Sequence, residues 1–356
     1  MKAYLLKVIL MAASVVFLVG AVVFSFRAPI PAEHWIPQNI AIRKYINSRI
    51  HSPKIYITGG SSVMFGFDTG LIERELKRPT ISFGINIGLR LEYLLDLARS
   101  QVNPGDVVVL ALESNFYTDT EWTPWQTRNA IAWNYESLSK NTANETFSIY
   151  SKTLSSEIVK DIVYLPIEAV VNPSAITART RTPESLIEEY EKNIAGRLPY
   201  AFKGYHPFLL DAHGDVLPLT EQLYKDKGMP WADPETIHPA AVTWLTQFIQ
   251  DMKAKQVTVY FANFPYILDG QVADAKTQER EAYVRGVVKQ MGSEFIDTRE
   301  QLRFPREMIY DTMYHLNAMG RERRSRLFIE CMRNRLPPPA APGSAPVPPV
   351  SASPQP

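Results

Sequence analysis

The chain has 356 residues, which is enough for one large domain or two ordinary ones, each with its own core. Hydrophobic residues make up 46% of it, charged residues 21%, and the net charge is +1. Because this balance gives neither a basic nor an acidic field, no nucleic-acid partner is predicted. The single cysteine, Cys331, excludes an internal disulfide and a cysteine-rich metal site.

The N-terminus carries a long apolar segment. Residues 8–26 contain no charged side chain, and a helix of that length is about 28 Å long, close to the thickness of bilayer hydrocarbon. Lys2 and Lys7 precede the segment and Arg27 follows it, which favours a cytoplasmic N-terminus. We therefore predict a transmembrane anchor at residues 1–27. A cleavable signal peptide is the alternative, although FSFRAPIP offers no clear small-x-small cleavage site.

The rest of the chain divides into three parts by composition. Residues 28–53 are predicted as a juxtamembrane segment, and residues 54–335 as an α/β domain. An aromatic, mostly helical and loop-forming insertion interrupts that domain at about residues 116–240. Residues 336–356 are rich in Pro, Ala and Ser and lack a periodic apolar pattern, so they are predicted to be a disordered tail.

Short apolar runs alternate with helical patterns in the α/β domain. Strands are predicted at 54–58, 80–85, 107–112, 257–265 and 294–297. Helices are predicted at 71–76, 91–102, 182–196, 233–252, around 283–291 and from 317 onward. A continuous apolar run such as VVVLAL is typical of a parallel strand buried on both faces. The pattern predicts a three-layer α/β/α sandwich with a flavodoxin-like parallel sheet.

Polar turns follow three of the predicted strands. They read TGGSSVMFG, SFGINIG and LESNFY, and a later segment reads DTMYHLN. In an open α/β sheet, ligands bind beyond the carboxyl ends of the strands, so these turns are predicted to meet at one edge. Together they offer hydroxyl groups, backbone N–H groups beside glycines, an amide and an imidazole near a carboxylate. That inventory is the one required for acyl transfer through a nucleophilic serine.

These blocks resemble those of the SGNH (GDSL-type) hydrolase superfamily. The first block, Gly-Asp-Ser-Leu-x-x-Gly, is similar to residues 60–66, with Ser62 as the nucleophile and Ser61 where the aspartate usually stands. The second block matches Gly84. The third, Gly-x-Asn-Asp, matches Asn115, with Glu113 in place of the glycine.

The fifth block of the superfamily, Asp-x-x-His, is similar to Asp311 and His315, with one additional residue between them. The resemblance implies that His315 is the base and that Asp311 orients it. It also implies that the N–H groups of Ser62 and Gly84 and the Asn115 side chain form the oxyanion hole. The additional residue puts Asp311 in doubt as the acid, since some relatives use a backbone carbonyl there. The exchange at Ser61 also leaves open which of the two serines attacks.

The anchor and the GSS and His-Leu-Asn blocks narrow the resemblance. They are similar to the extracytoplasmic partners of membrane-bound O-acyltransferases, such as alginate O-acetylation and lipoteichoic acid D-alanylation proteins. The resemblance implies an O-acyltransferase or esterase on the bacterial inner membrane, with an extracytoplasmic catalytic domain. Its expected partners are a polysaccharide or other acylated glycan and a membrane-bound O-acyltransferase. The alternatives are a plain periplasmic carbohydrate O-acetylesterase and a non-catalytic scaffold or glycan-binding protein.

No metal or cofactor is predicted. His206, His213 and His238 lie in the insertion together with Asp211 and Asp215, but their spacing matches no metal-ligand motif.

Overall fold

The computed structural model describes nine ranges of the chain. These are residues 33–86, 88–118, 121–132, 181–196, 210–216, 219–220, 223, 234–267 and 275–336, with 4–7, 10, 11, 14 and 171 in addition. Their centre is a parallel four-stranded sheet in the order β2-β1-β3-β4. The strands are β1 Ile55–Gly59, β2 Thr80–Gly84, β3 Val107–Ala111 and β4 Thr258–Phe261.

Helices connect and cover these strands. They are α1 Trp35–Ser48, α2 Ser61–Met64, α3 Thr69–Leu76, α4 Leu91–Gln101, α5 Asn115–Thr118, α6 Pro124–Ala132, α7 Pro183–Gly196, α8 Pro239–Ala254, α9 Ala275–Gln290 and α10 Ala318–Met332. A second, two-stranded parallel sheet consists of β5 Tyr266–Ile267 and β6 Arg303–Phe304, with 3-10 turns at Glu300–Leu302 and Arg306–Met308. The prediction of an α/β protein with a parallel sheet is confirmed.

The predicted strand at 294–297 forms a single parallel bridge, between Phe295 and Phe261. The bridge lies at the outer edge of β4, where Phe261 N–H donates to Glu294 and Ile296 N–H donates to Phe261. The sheet is thus extended beyond β4 by one short stretch of chain.

The central strands are buried on both faces, and alternate residues face different helices. Tyr56 and Phe83 stack with ring centroids 4.7 Å apart, in the cluster that includes the buried residues of α1, α4 and α8. Ile55 and Ile57 point the other way, into the cluster that contains Phe328 and the other buried residues of α3 and α10. This double burial explains why the strands read as continuous apolar runs.

Helix α1 belongs to the packed core, although it lies in the segment predicted to be juxtamembrane. Its Ile36 and Ile42 are fully buried. The buried Arg43 donates through Nη1 to the carbonyl oxygen of Ser82 at 2.6 Å, which ties the helix to β2. The residues between about 35 and 48 are therefore a structural element of the domain rather than a spacer.

The anchor and tail predictions fall largely outside the described residues. Residues 8–26, except 10, 11 and 14, and residues 337–356 are not among them. Of the helices that the structure does describe, none is both long and apolar enough to cross a membrane. Much of the insertion at 116–240 also lies outside the described part. The helix predicted at 182–196 is confirmed as α7, and the one predicted at 233–252 corresponds to α8, which begins only at Pro239 and ends at Ala254.

Candidate active site

The turn after β1 packs directly onto the ends of the neighbouring strands. A Cβ atom added to Gly59 would lie 2.2 Å from the carbonyl oxygen of Ala111, and one added to Gly84 would lie 2.2 Å from the amide nitrogen of Met64. Both distances are far below van der Waals contact. Glycine at the end of β1 therefore allows the close approach of β3, and glycine at the end of β2 allows the close approach of α2.

Ser62 lies in α2, where the sequence places the nucleophile. Its relative exposure is 0%, and within the described part of the chain its Oγ has no hydrogen-bond partner. Its neighbour Ser61 is also buried but is engaged, because the Tyr314 hydroxyl is hydrogen-bonded to the Ser61 side chain. Ser61 is thus held by Tyr314, whereas Ser62 Oγ makes no such bond.

Asp311 and His315 form a hydrogen-bonded pair. Asp311 Oδ1 lies 2.6 Å from His315 Nδ1. The additional residue between them is accommodated by a tight loop, in which Tyr310 N–H donates to the His315 carbonyl at 2.8 Å and His315 N–H donates to Thr312 at 3.3 Å. When Nδ1–H donates to Asp311 Oδ1, Nε2 is the ring nitrogen that can accept a proton.

The imidazole is packed against the serine turn. Its ring centroid lies 4.4 Å from that of Phe65, the C-cap residue of α2. His315 itself is 2% exposed. Phe65 and the bond between Tyr314 and Ser61 thus hold the segment with His315 beside the segment with Ser62.

Glu113 has a role in the site that the sequence did not predict. Its carboxylate is fully buried and accepts two backbone hydrogen bonds, from Gly60 N–H at 3.0 Å and from Ser62 N–H at 2.9 Å. In this structure the Ser62 N–H donates to Glu113, so its role in an oxyanion hole stays a prediction. A carboxylate at the end of an apolar strand was the available signal.

Arg324 holds the same turn from its other side. This buried guanidinium donates to the Ser62 carbonyl oxygen at 2.7 Å and to the Asn263 carbonyl oxygen at 3.0 Å. It also lies 4.1 Å from the centroid of the Phe67 ring. Burial lowers the pKa of Arg324 to about 10, so at neutral pH the side chain remains a cation. The charged pattern of α10 gave no indication that this arginine is internal.

The two other predicted oxyanion residues lie at the ends of the neighbouring strands. Gly84 pairs with Gly59 at the end of the parallel ladder and contacts the backbone of α2. Asn115 begins α5, two residues after Glu113, and is half-buried. Ser62, Gly84 and Asn115 are thus on segments that leave the same edge of the sheet.

Tyr314 contributes a second polar group near the serines. Burial, together with the charges of Glu113 and Asp311, raises the pKa of Tyr314 from 10.0 to about 12, while the hydrogen bond to Ser61 opposes the shift. The phenol is therefore neutral over the physiological range and can act as a hydrogen-bond donor.

Two of the histidines and aspartates of the insertion, Asp215 and His238, make structural contacts. Asp215 accepts bonds from Thr69 N–H at 2.6 Å and from Arg321 at 3.2 Å. His238 caps α8 by accepting from Ala240 N–H at 3.2 Å. His206 lies outside the described residues. Across the part of the chain that the structure describes, no group of three His, Cys, Asp or Glu side chains is arranged to hold a metal ion.

Comparisons with known proteins give few matches. No protein-family model and no curated protein matches the sequence. Solved structures that resemble the chain include one from Streptococcus pneumonia, provisionally described as a platelet activating factor. The alignment covers 85% of this chain and 92% of that one, with a TM-score of 0.38 and 11% identity. This likeness is too low for fold or function to be inferred from it.

Proposed function

We propose that the protein is an SGNH-type serine acyltransferase or esterase that acts on O-acyl groups of an envelope or extracellular polysaccharide. The observation that carries the proposal is the Asp311–His315 pair, with an Nδ1 to Oδ1 distance of 2.6 Å, packed beside the turn that holds Ser62. Histidine oriented by a carboxylate next to a serine is the arrangement that activates a hydroxyl for attack on an ester.

The proposed reaction has two halves. In the first, His315 Nε2 takes the proton from Ser62 Oγ as the oxygen attacks the acyl carbonyl carbon. The ester bond then breaks and the leaving alkoxide receives that proton, which leaves an acyl-serine. In the second half, His315 deprotonates the acceptor hydroxyl, which attacks the acyl-serine, and the proton returns to Ser62.

The oxyanion formed in each half needs hydrogen-bond donors. Because Glu113 takes the Ser62 N–H, the donors that we assign are the Gly84 N–H and the Asn115 side chain. Both residues are on segments that end at the carboxyl edge of the sheet, next to α2.

Serine, histidine and an oxyanion hole serve transfer and hydrolysis equally, and the acceptor, a sugar hydroxyl or water, decides between the two reactions. We further propose that an anchor at residues 1–27 holds the domain on the outer face of the bacterial inner membrane. There, a membrane-bound O-acyltransferase would supply the acyl group.

Labelling with a fluorophosphonate tests the proposal. The Oγ–P bond forms as the P–F bond breaks, and His315 takes the serine proton. Full-length protein in detergent should be labelled on Ser62, as located by peptide mass spectrometry. Ser62→Ala should abolish labelling, and the matched control Ser61→Ala should retain it. An unlabelled wild-type protein would support the non-catalytic scaffold, and labelling lost only in Ser61→Ala would move the nucleophile to Ser61.

Acetylated polymer distinguishes transfer from hydrolysis. Free acetate released by the wild-type protein without an added acceptor would support the plain esterase. If acetyl groups instead appear on an added oligosaccharide, and little free acetate is formed in its absence, transfer is supported.

A further inference from the structure

A buried carboxylate and a buried guanidinium hold opposite sides of the Ser62 backbone. Glu113 accepts the Gly60 and Ser62 N–H groups at 3.0 and 2.9 Å, and Arg324 donates to the Ser62 carbonyl at 2.7 Å. Both side chains are at most 2% exposed. The peptide groups before and after Ser62 are thus each fixed by a charge-assisted hydrogen bond.

The serine turn itself offers no helical acceptor to the N–H groups of Gly60 and Ser62. Gly60 N–H and Ser62 N–H lie before the first helical hydrogen bond of α2, which begins with Val63 N–H donating to Gly60 at 3.2 Å. A buried N–H without an acceptor is costly, so the loss of Glu113 would leave two donors unsatisfied at the residue that must attack. A methyl group at Gly60 would also overlap the Glu113 carboxylate at 2.7 Å, so the fit between the two segments is tight.

We propose that Glu113, assisted by Arg324, is a positioning residue that fixes the Ser62 backbone and so orients Oγ toward His315. The inference rests on the proposed function of Ser62 as a nucleophile. We further infer that the Ser62 N–H remains hydrogen-bonded to Glu113 throughout the reaction, so that other donors stabilise the oxyanion. Glu113 acts through Ser62 and does not contact the reacting atoms.

The alternative is that Glu113 occupies the Ser62 N–H only until substrate arrives. The carboxylate would then leave, and the N–H would turn to the substrate oxygen. The two ideas differ in one distance, that between Glu113 Oε1 and the Ser62 nitrogen in an adduct, so that distance can decide between them.

The first experiment measures the second-order rate constant of Ser62 labelling by a fluorophosphonate in the full-length protein. Glu113→Gln keeps the size of the side chain but replaces one acceptor oxygen by an NH2 group that opposes an N–H. We expect a fall of about 10- to 100-fold in the rate constant of the folded fraction. Asp106→Asn is the matched control, because Asp106 is also buried and accepts Lys54 N–H at 2.8 Å at the far end of the sheet. It should lower the thermal midpoint but leave the labelling rate of the folded protein within about twofold.

Labelling of Glu113→Gln at the wild-type rate would overturn the positioning role while the proposed function stands, whereas no labelling of the wild-type protein would remove the function itself. If Glu113→Gln does not fold, the wild-type adduct decides. A crystal structure of phosphonylated protein should keep Glu113 Oε1 within hydrogen-bond distance of Ser62 N, with the phosphonyl oxygen bound elsewhere. A Ser62 N–H that donates to the phosphonyl oxygen instead would refute the inference.

Discussion

Replacing Gly84 by alanine should separate α2 from the end of β2. The added methyl would lie 2.2 Å from Met64 N and 2.4 Å from Val63 Cβ. Normal contact needs about 3.5 Å or more, so α2 would have to move by about 1 Å. Because the obstacles are a backbone atom and a β carbon, no rotamer change relieves the overlap. We expect a loss of about 1–3 kcal/mol in the free energy of unfolding, as is usual for overpacked cores.

The same substitution at Gly286 is the matched control. Gly286 lies within α9, and a Cβ there would meet no atom within 4 Å. Gly286→Ala should therefore stabilise the protein by up to about 1 kcal/mol, because alanine has the higher helix propensity. Alanine restricts the backbone of the unfolded chain equally in the two variants. The difference between their free energies of unfolding therefore reports the packing at Gly84.

Urea unfolding of full-length protein in detergent measures both stabilities, and fluorophosphonate labelling reports the serine turn. Since α2 has a single turn, a shift at Val63 moves Ser62, and labelling of folded Gly84→Ala should slow by at least tenfold. A Gly84→Ala variant that loses less than about 0.5 kcal/mol and is labelled at the wild-type rate would refute this reasoning.

Three further outcomes can be measured. Asp311→Asn removes the anionic partner of His315 Nδ1 and should slow fluorophosphonate labelling by about 10- to 100-fold; unchanged labelling would assign the orienting role to another acceptor. Burial raises the pKa of Asp297 from 3.8 to about 6, so the unfolded chain releases this proton first, and stability falls as the pH rises from about 4 to 6. In Asp297→Asn, the difference between the free energies of unfolding at pH 4.5 and 6.5, measured with urea, should be smaller by roughly 1–3 kcal/mol. An unchanged difference would contradict the raised pKa of Asp297. Lys54→Met leaves the buried Asp106 without its cation, 2.6 Å away, and should cost roughly 3–5 kcal/mol in urea unfolding with unaltered labelling of the folded fraction; a loss below about 1 kcal/mol would contradict this.

The parallel sheet could be predicted from the sequence because burial on both faces leaves a local signature. The run at 107–111 is apolar at every position, and glycine follows or ends the first two strands. The sequence also predicted that Ser62 and Gly84 lie close together. Both are at the carboxyl ends of parallel strands, and these ends meet at one edge of the sheet.

Charged residues inside the domain could not be predicted in this way. Glu113 was treated as a replacement for a glycine, and Arg324 belongs to GRERRSR, a run that reads as a solvated helix face. Burial of a charge depends on partners far along the chain, here backbone groups of residues near 60. Helix α1 was missed for a related reason, because its buried Arg43 and Asn39 obscure the apolar stripe.

The bond from Arg324 to the Ser62 carbonyl spans 262 residues of sequence. The residues from other segments that contact the serine turn all come later in the sequence. Two of them, His315 and Arg324, lie just before α10 and within it. A ribosome that has released only the first half of the domain therefore holds a chain that lacks both His315 and Arg324. Under the proposed function, Ser62 would become reactive only after the last helix has been made and has packed against the serine turn.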